Sequence, residues 1–110
     1  MYRIGVDIGG TKIAVGVFDA EKQLIASEKY YIAEAGDLPS FIKNSVERLC
    51  GGRGISLKEL AACGAAVPGT VDGEGRKIIK APNIKALSEN FARDLELQMG
   101  FPVKLVQDSR

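Results

Sequence analysis

The chain has 110 residues, of which 45% are hydrophobic and 26% charged, which suits one soluble globular domain and shows no disordered signature. Its formal net charge of +1 gives no electrostatic reason to expect nucleic acid or an anionic membrane as a partner. The chain has no histidine, and its two cysteines, Cys50 and Cys63, are isolated in sequence, so we expect no zinc site built from this sequence alone. No export signal or membrane-spanning run is recognisable, and a cytoplasmic protein is predicted.

The first predicted elements are three strands. Residues 2–6 and 12–18 are apolar with alternation and are separated by Gly9-Gly10, a pattern that predicts a hairpin. After a polar turn, residues 24–32 give a third β-like run, so the first three strands should form an antiparallel meander.

From residue 37 the apolar period becomes that of a helix. The apolar residues of this stretch recur at spacings near 3.6 residues, at Leu38, Phe41, Ile42, Val46 and Leu49. Asp37 is a plausible N-cap, Pro39 suits the first turn, and the glycines at 51 and 52 should end the helix. Residues 56–59 (SLKE) fit a capping box that opens a short helical turn.

The second half predicts two more strands of the main sheet, with a small hairpin and a helix between them. Residues 60–67 form an alanine-rich apolar run typical of a strand buried on both faces, with Cys63 as a core residue. Residues 70–79 predict a hairpin with its turn at 72–75 and with Arg76 and Lys77 at a solvated tip. Residues 88–99 predict an amphipathic helix stopped by Gly100, and residues 101–106 a final strand.

The order β-β-β-α-β-α-β with right-handed crossovers predicts an α/β domain of the ribonuclease-H-like class, built on a mixed sheet. The first strand should lie beside strand 60–67, which should in turn neighbour strand 103–106, and these three should run parallel. Ligands of open α/β sheets bind beyond the carboxyl ends of parallel strands. Those ends carry Asp7, the Pro68-Gly69 pair and the Gln107-Asp108 pair.

The stretch from Asp7 to Lys12 has the chemistry of a phosphate site. Gly9 and Gly10 let backbone N–H groups approach a ligand closely, Thr11 adds a hydroxyl, and Lys12 adds a positive charge. Asp7 can hold a divalent cation directly or through water. The order Gly-Thr-Lys differs from the Walker A order Gly-Lys-Ser/Thr, and no dinucleotide G-x-G-x-x-G pattern fits. On the same rim, Asp108 suits the base that accepts a proton from an attacking hydroxyl.

Each of these residues also has a purely structural explanation. Asp7 could be an acid of a plain hairpin turn, and Lys12 a solvated lysine. Gly69 could be required only by its turn. Asn83 follows a proline and could be a simple turn residue, and Asp108 could be an acid of a disordered tail.

Several segments resemble known motifs. The sequence DIGGTK at residues 7–12 resembles the first phosphate motif of the actin-like ATPase superfamily, and with Gly5 and the AVGV at 14–17 it is similar to the ROK family of sugar kinases and related repressors. GAAVPGTVD at 64–72 resembles that family's sugar-pocket segment, APNI at 81–84 its A-P-N loop, and LELQMGFPV at 95–103 the lead into its catalytic strand. The family's Asn-Asp pair is Gln107-Asp108 here.

The resemblance implies an ATP- and Mg²⁺-dependent hexose kinase. Gly9, Gly10, Thr11 and Lys12 would hold phosphate and Asp7 the metal. The sugar would contact Gly69, Asn83, Gln107 and Asp108, with Asp108 as the base, and Gln107 has a longer amide side chain than the family's Asn. The complete protein is expected to be a homodimer.

The resemblance also implies that residues 1–110 are an N-terminal lobe. The family's second phosphate loop, adenosine pocket, Glu-x-Gly-His segment and zinc-binding cysteines have no counterpart in this sequence, so zinc is expected only in a C-terminal lobe. We expect this chain alone to be inactive. Two alternatives are a ROK transcriptional repressor, whose winged helix would precede the phosphate motif, and a non-catalytic or ATPase-type actin-like protein. The sugar-side motifs argue against the second alternative.

Overall fold

A computed structural model of the chain describes residues 1–80, 87 and 89–107. Its main sheet has five strands in the order β3-β2-β1-β4-β7. Their bounds are β1 Tyr2–Ile8, β2 Lys12–Phe18, β3 Leu24–Tyr31, β4 Leu60–Val67 and β7 Val103–Gln107. The first three strands are antiparallel, and β1, β4 and β7 are parallel, so the predicted meander and the predicted parallel neighbours are both confirmed.

The described residues include two α-helices, one in the connection from β3 to β4 and one directly before β7. The first, α1, spans Leu38–Gly51, and the Asp37 carboxylate caps it by accepting a hydrogen bond from the Ser40 N–H at 3.2 Å. A hydrogen bond with the Ser40 side chain, together with the one from the Ser40 N–H, holds the pKa of Asp37 below its ordinary value. The capping box at Ser56 and Glu59 also forms as predicted and opens a single 3-10 turn before β4. Neither helix of the described residues is long and apolar enough to cross a membrane.

The second helix, α2, spans Phe91–Met99 and is shorter than predicted. Its first intrahelical hydrogen bond runs from the Asp94 N–H to the Asn90 carbonyl, which makes Asn90 the last residue before the helix. Ser88, where the helix was expected to begin, lies outside the described residues. Gly100 ends the helix in the left-handed conformation, with φ of 84°, so the predicted stop is confirmed.

The last strand also begins later than predicted, at Val103 rather than at residue 101. Pro102 has no N–H to give to a strand ladder, and Phe101 is buried in the core. The Pro102 carbonyl nevertheless accepts a hydrogen bond from the Cys63 N–H at 2.9 Å. This bond aligns the start of β7 with β4.

A small two-stranded sheet lies beside the main one. It pairs β5 (Thr70–Val71) with β6 (Ile78–Lys80) in antiparallel orientation, which confirms the predicted hairpin. Its strands are shorter than expected, because the connection runs from residue 72 to residue 77 rather than ending at 75.

Both helices contribute to one hydrophobic core against one face of the main sheet. That core takes Ile4, Val6 and Ile8 from β1 and the predicted Phe91, Leu95 and Met99 from α2. Among the residues predicted to face inward from α1, Leu38, Ile42, Val46 and Leu49 are buried, while Phe41 is half-buried. The Phe41 ring packs edge-to-face on Tyr30 of β3 at a centroid distance of 4.7 Å.

The opposite face of the main sheet consists largely of small residues. Gly5, Gly16 and Gly64 lie there with Ala14 and Ala66, and Gly64 is exposed. The prediction that β4 is buried on both faces is therefore wrong for the described residues. Cys63, on the core face of the same strand, is buried as predicted, and burial raises the pKa of its thiol to about 12.

The core assignment of α2 predicts a contrast between two leucines of the same helix. Leu95 is fully buried and Leu97 is 76% exposed. We expect Leu95→Ala to lower the free energy of unfolding by about 2–5 kcal/mol because it leaves a cavity. Leu97→Ala should change it by less than about 0.5 kcal/mol. Urea unfolding of the two variants measures both values, and equal losses would contradict the orientation of α2.

Candidate functional site

The carboxyl ends of the three parallel strands meet at one edge of the sheet. Asp7 of β1 lies beside Ala66 of β4, and Val67 of β4 lies beside Gln107 of β7. Neighbouring strands lie about 4.8 Å apart, so the ends of β1 and β7 are separated by roughly 10 Å across β4. The predicted convergence of Asp7, the Pro68-Gly69 turn and Gln107 on this rim is confirmed.

The rim residues do not all project from the same face of the sheet. Asp7 lies on the face of small residues, together with Gly5, because Ile4, Val6 and Ile8 take the core face. Gln107 alternates with the exposed Val106 and so shares the side of buried Val103 and Leu105. Its side chain is exposed, since it lies beyond the core at the end of the strand. The strand alternation therefore separates the Asp7 carboxylate from the Gln107 amide.

The turn between β1 and β2 is held at two points. The Gly9 N–H donates to the Lys12 carbonyl at 2.9 Å, and the Thr11 carbonyl accepts from the Ile32 N–H at 2.9 Å. The Gly9 N–H is therefore engaged within the hairpin. The N–H groups of Gly10 and Thr11 make no backbone hydrogen bond to another described residue. Of the predicted phosphate donors, these two backbone amides therefore take no part in the hydrogen bonds that hold the turn.

The glycines of this turn are not needed for its backbone geometry. Gly9 and Gly10 are absent from the described residues with positive φ, so an L-amino acid could adopt their conformations. A Cβ built on Gly10 would meet no atom within 4 Å, and one on Gly9 would lie 3.4 Å from the Lys12 carbonyl oxygen. The missing side chains therefore leave open space beside the backbone. This is the property that a close-approaching phosphate requires.

Lys12 and Thr11 are both exposed, which leaves them accessible to a ligand. The Lys12 ammonium lies 5.5 Å from the centroid of the Tyr31 ring, in a cation–π arrangement with the neighbouring strand. This contact supplies a structural role for Lys12 beside the predicted phosphate role.

Lys29 is a residue near this site that the sequence analysis did not single out. Asp7, Ala14 and Lys29 follow one another across β1, β2 and β3, with the small Ala14 between the two charges. Asp7 and Lys29 both line a depression of about 440 Å³ on the face of small residues. Lys29 could have been identified from the sequence. The predicted meander places β3 beside β2, and the alternation along β3 gives the face on which Lys29 lies.

Gly69 has a backbone reason to be glycine. Its φ is 115°, a conformation that L-residues rarely adopt, in the two-residue connection between β4 and β5. The structure thus explains this glycine without a ligand, and its predicted contact with a sugar stays a prediction. Asn83 and Asp108, the other predicted sugar-side residues, lie outside the described residues.

The loop at residues 72–77 differs from the predicted solvated hairpin tip. Lys77 is exposed as predicted, but Arg76 is not free in solvent. One guanidinium nitrogen of Arg76 donates to the Glu96 carboxylate on α2 and to the Val103 carbonyl on β7. The prediction for Arg76 was wrong because it treated the hairpin alone, whereas the loop folds back onto β7.

The carboxylate that receives Arg76 is also bonded to the strand. The Glu96 carboxylate accepts the Val103 N–H at 2.9 Å. Burial raises the pKa of Glu96, but the Val103 N–H, the Arg76 hydrogen bond and the Arg76 charge together outweigh burial and leave the pKa below its ordinary value. Glu96 is therefore ionised at neutral pH and tied to both the loop and β7.

The rim has a ligand type that suits Mg²⁺. This ion is commonly bound through one or two carboxylates while phosphates and water complete its octahedral shell. Asp7, half-buried at the end of β1 and next to the glycine turn, supplies one such carboxylate. Among residues 1–80, 87 and 89–107, no three Asp, Glu, His or Cys side chains form a metal cluster. The Asp7 carboxylate is the residue of this rim that would hold a metal shared with a phosphate ligand.

The profile of the ROK family matches residues 3–110 of this sequence. A glucokinase from Streptomyces coelicolor is 32% identical over 106 residues, which cover 96% of this chain and 32% of that protein. The ROK hexokinase of Thermus thermophilus superimposes with a TM-score of 0.79 at 33% identity, covering 99% of this chain and 36% of that one. A ROK glucokinase from Streptomyces griseus, solved with glucose and AMPPNP, gives 0.73 at 31% identity, covering 99% and 34%.

The chain belongs to the ROK family. Its mixed α/β architecture with a five-stranded mixed sheet matches the actin-like ATPase fold of those neighbours, so the predicted fold class is confirmed. A ROK transcriptional regulator superimposes equally well, with a TM-score of 0.79 over 99% of this chain and 28% of that one, but at 14% identity. This last likeness shows the fold alone. The chain spans about a third of the length of the curated relatives it matches.

The backbone angles predict opposite outcomes for two glycines of the rim. Gly69→Ala should destabilise the fold by about 1–3 kcal/mol because alanine is strained at positive φ. Gly10→Ala should change the free energy of unfolding by less than about 0.5 kcal/mol, since its Cβ enters open space. Denaturant titration measures both. A large loss for Gly10→Ala would show that this glycine is structural.

Proposed function

We propose that the complete polypeptide carrying this sequence phosphorylates a hexose or a related sugar with ATP. The observation that carries the proposal is the shared rim, where a glycine turn with open space beside Gly10 neighbours Asp7 and lies across β4 from the end of β7. Family membership supports it, because curated relatives include a glucokinase and an N-acetyl-D-glucosamine kinase.

On the phosphate side of the proposal, Gly10 and Thr11 donate backbone N–H groups to phosphate oxygens. Gly9 provides close access, and Lys12 provides a charge that can exchange its contact with Tyr31 for an anion. Asp7 holds Mg²⁺, directly or through water, and the ion when bound neutralises phosphate charge. The AMPPNP present in the Streptomyces griseus glucokinase structure supports ATP as the donor.

On the sugar side, Asp108 is proposed as the general base. Its carboxylate accepts the proton of the attacking sugar hydroxyl while that oxygen bonds to the γ-phosphorus. The bond from the γ-phosphorus to the bridging oxygen breaks, and ADP leaves. Support comes from Gln107, the preceding residue, which ends β7 at the rim.

Gly69, Asn83 and Gln107 are proposed to contact the sugar, together with Asp108. Gly69 supports this role by its place in the turn directly after β4, at the same rim. The names of the relatives give different sugars as their substrates. The proposed substrate class for the complete polypeptide is therefore hexoses and N-acetylhexosamines. We expect the side chain of Gln107 to influence which of these sugars the complete polypeptide prefers as substrate.

We also propose that residues 1–110 alone do not turn over substrate. The relatives are about three times as long as this chain, so we expect catalysis to need the rest of the polypeptide. The homodimer and the cytoplasmic location stay predictions for the complete protein.

Replacing the proposed base tests the chemistry directly. In the complete polypeptide, Asp108→Asn should lower kcat for sugar phosphorylation by about 10²–10⁴-fold, because the amide cannot accept the proton. The KM for sugar should change little, since the amide still accepts a hydrogen bond. A coupled assay of ADP formation over a panel of hexoses measures both constants.

Asp94→Asn is the matched control, because Asp94 is a partly exposed carboxylate on α2, away from the rim. It should retain wild-type kinetics. Undiminished kcat in Asp108→Asn would overturn the base assignment, whereas absence of phosphorylation by the wild type with every sugar would overturn the proposed function itself.

A second substitution tests the phosphate turn. Gly10→Ala should raise the KM for ATP by about tenfold or more, because the methyl group occupies the space that a phosphate would enter. Gly51→Ala is the control, since a Cβ there also meets no atom within 4 Å and lies at the end of α1. Equal KM values for ATP in both variants and the wild type would exclude phosphate contact at Gly10.

A further inference from the structure

β7 is an edge strand whose end is not fixed by core packing. On one side it pairs with β4, while Val106 and Gln107 at its carboxyl end are both exposed. Burial on the core side reaches only to Leu105, which is 2% exposed. Beyond Leu105, the strand end is therefore held by its pairing with β4 on one side and by the groups that contact its outer edge on the other.

The outer edge of β7 is covered by the loop between β5 and β6. The Leu105 N–H donates to the Gly75 carbonyl at 2.7 Å, and the Val103 carbonyl accepts from Arg76. A Cβ built on Gly75 would lie 2.8 Å from the Leu105 carbonyl oxygen, so the loop backbone is in close contact with the strand. Gly75 also has a φ of 69°.

The loop is itself braced. The Asp72 carboxylate accepts N–H groups from Arg76 at 2.8 Å and from Lys77 at 3.2 Å. These hydrogen bonds hold the pKa of Asp72 below its ordinary value. The loop therefore presents the Arg76 guanidinium from a defined backbone, and that guanidinium reaches Glu96 on α2 as well as β7.

We propose that Arg76 is a positioning residue that anchors β7 at its first residue, Val103, and thereby sets the place of the whole strand, including its carboxyl end, relative to the Pro68-Gly69 turn. The hairpin that carries Arg76 starts directly after this turn, so Arg76 joins the two segments that the proposed function assigns to sugar and base. This inference rests on the proposed function for its effect on catalysis. Arg76 itself touches no reacting atom in the proposal. Its part is to hold the strand end within the narrow tolerance that proton transfer needs.

The catalytic test uses the complete polypeptide with Arg76→Gln and Arg76→Lys, and with Lys77→Gln as the matched control from the same loop. Arg76→Gln should lower kcat by about 10–100-fold at a temperature where the variant is folded, because misplacement by about 1 Å is costly. The KM for ATP should change by less than about twofold, since the phosphate turn is untouched. Arg76→Lys should recover part of kcat, and Lys77→Gln should match the wild type.

A purely structural role predicts a different outcome. It lowers the melting temperature of Arg76→Gln but leaves kcat per folded molecule unchanged, and that result would overturn the inference. A Lys variant no more active than the Gln variant would also overturn it, because the proposed contact needs a cationic donor. If Arg76→Gln does not fold, Glu96→Gln gives the same comparison, since its amide oxygen still accepts the Val103 N–H while the ion pair is lost.

A double-mutant cycle and hydrogen exchange separate this inference from the proposed function. Arg76→Gln combined with Glu96→Gln should be no less active than the worse single variant, whereas additive losses would contradict a shared contact. Exchange of the Leu105 N–H should accelerate by about tenfold in Arg76→Gln and not in Lys77→Gln. If the wild type phosphorylates no sugar, the proposed function fails and exchange alone decides: faster exchange supports the positioning of β7, and unchanged exchange overturns it.

Discussion

The site depends on the parallel pairing of three strands in one register. β1 and β4 align Asp7 with Ala66, and β4 and β7 align Val67 with Gln107. Because side chains alternate between faces, a shift of one residue in either pair would move every core residue of that strand to the opposite face. Burial of Val6, Ala65 and Leu105 therefore fixes the register of the three strands. That register sets how the rim residues line up at the strand ends. The hydrophobic core sets the geometry of the polar edge.

The same dependence explains why the two ends of the rim are supported differently. β1 lies in the middle of the sheet, and pairing on both sides determines the position of Asp7. Within the described part of the chain, β7 has a ladder partner on one side only, and Gly75, Arg76 and Glu96 occupy its other side. The loop also keeps this edge from pairing with another chain, since an open strand edge is a template for aggregation. The short β5–β6 hairpin thus supplies hydrogen bonds to the outer edge of β7 and covers that edge.

Much of the fold could be predicted because local signals agreed with one another. The glycine pair between alternating strands, the Asp37 cap and the Gly100 stop each rest on short-range chemistry, and the structure contains all three. The rim could be predicted as well, since strand order follows from the crossovers. The failures arise where distant segments meet. Nothing within residues 70–79 reveals that Arg76 reaches α2 and β7, and the alanines of β4 do not tell which face is covered.

The location of the site at the sheet rim could be predicted from the sequence more readily than the contacts of its residues. Asp7, Gly69 and Gln107 do share a rim, but strand alternation puts Asp7 and Gln107 on opposite faces. Gly9 and Gly10 have no positive φ and leave space beside the backbone, whereas Gly69 is required by its backbone conformation. Sequence alone does not distinguish these two uses of glycine, because both read as a turn signal. The distinction needs backbone angles.

The central position of β1 also has a consequence for the order of folding. Its partner β2 follows after a short turn, so the β1–β2–β3 meander can form from the first part of the chain alone. Its other partner β4 is separated from it by roughly 60 residues, and closing so long a loop is slow compared with forming a hairpin. During synthesis the nascent chain would therefore present an unpaired β1 edge until β4 emerges. The strand β1, which carries Asp7, can therefore pair with β2 early in folding but gains its second partner, β4, only later.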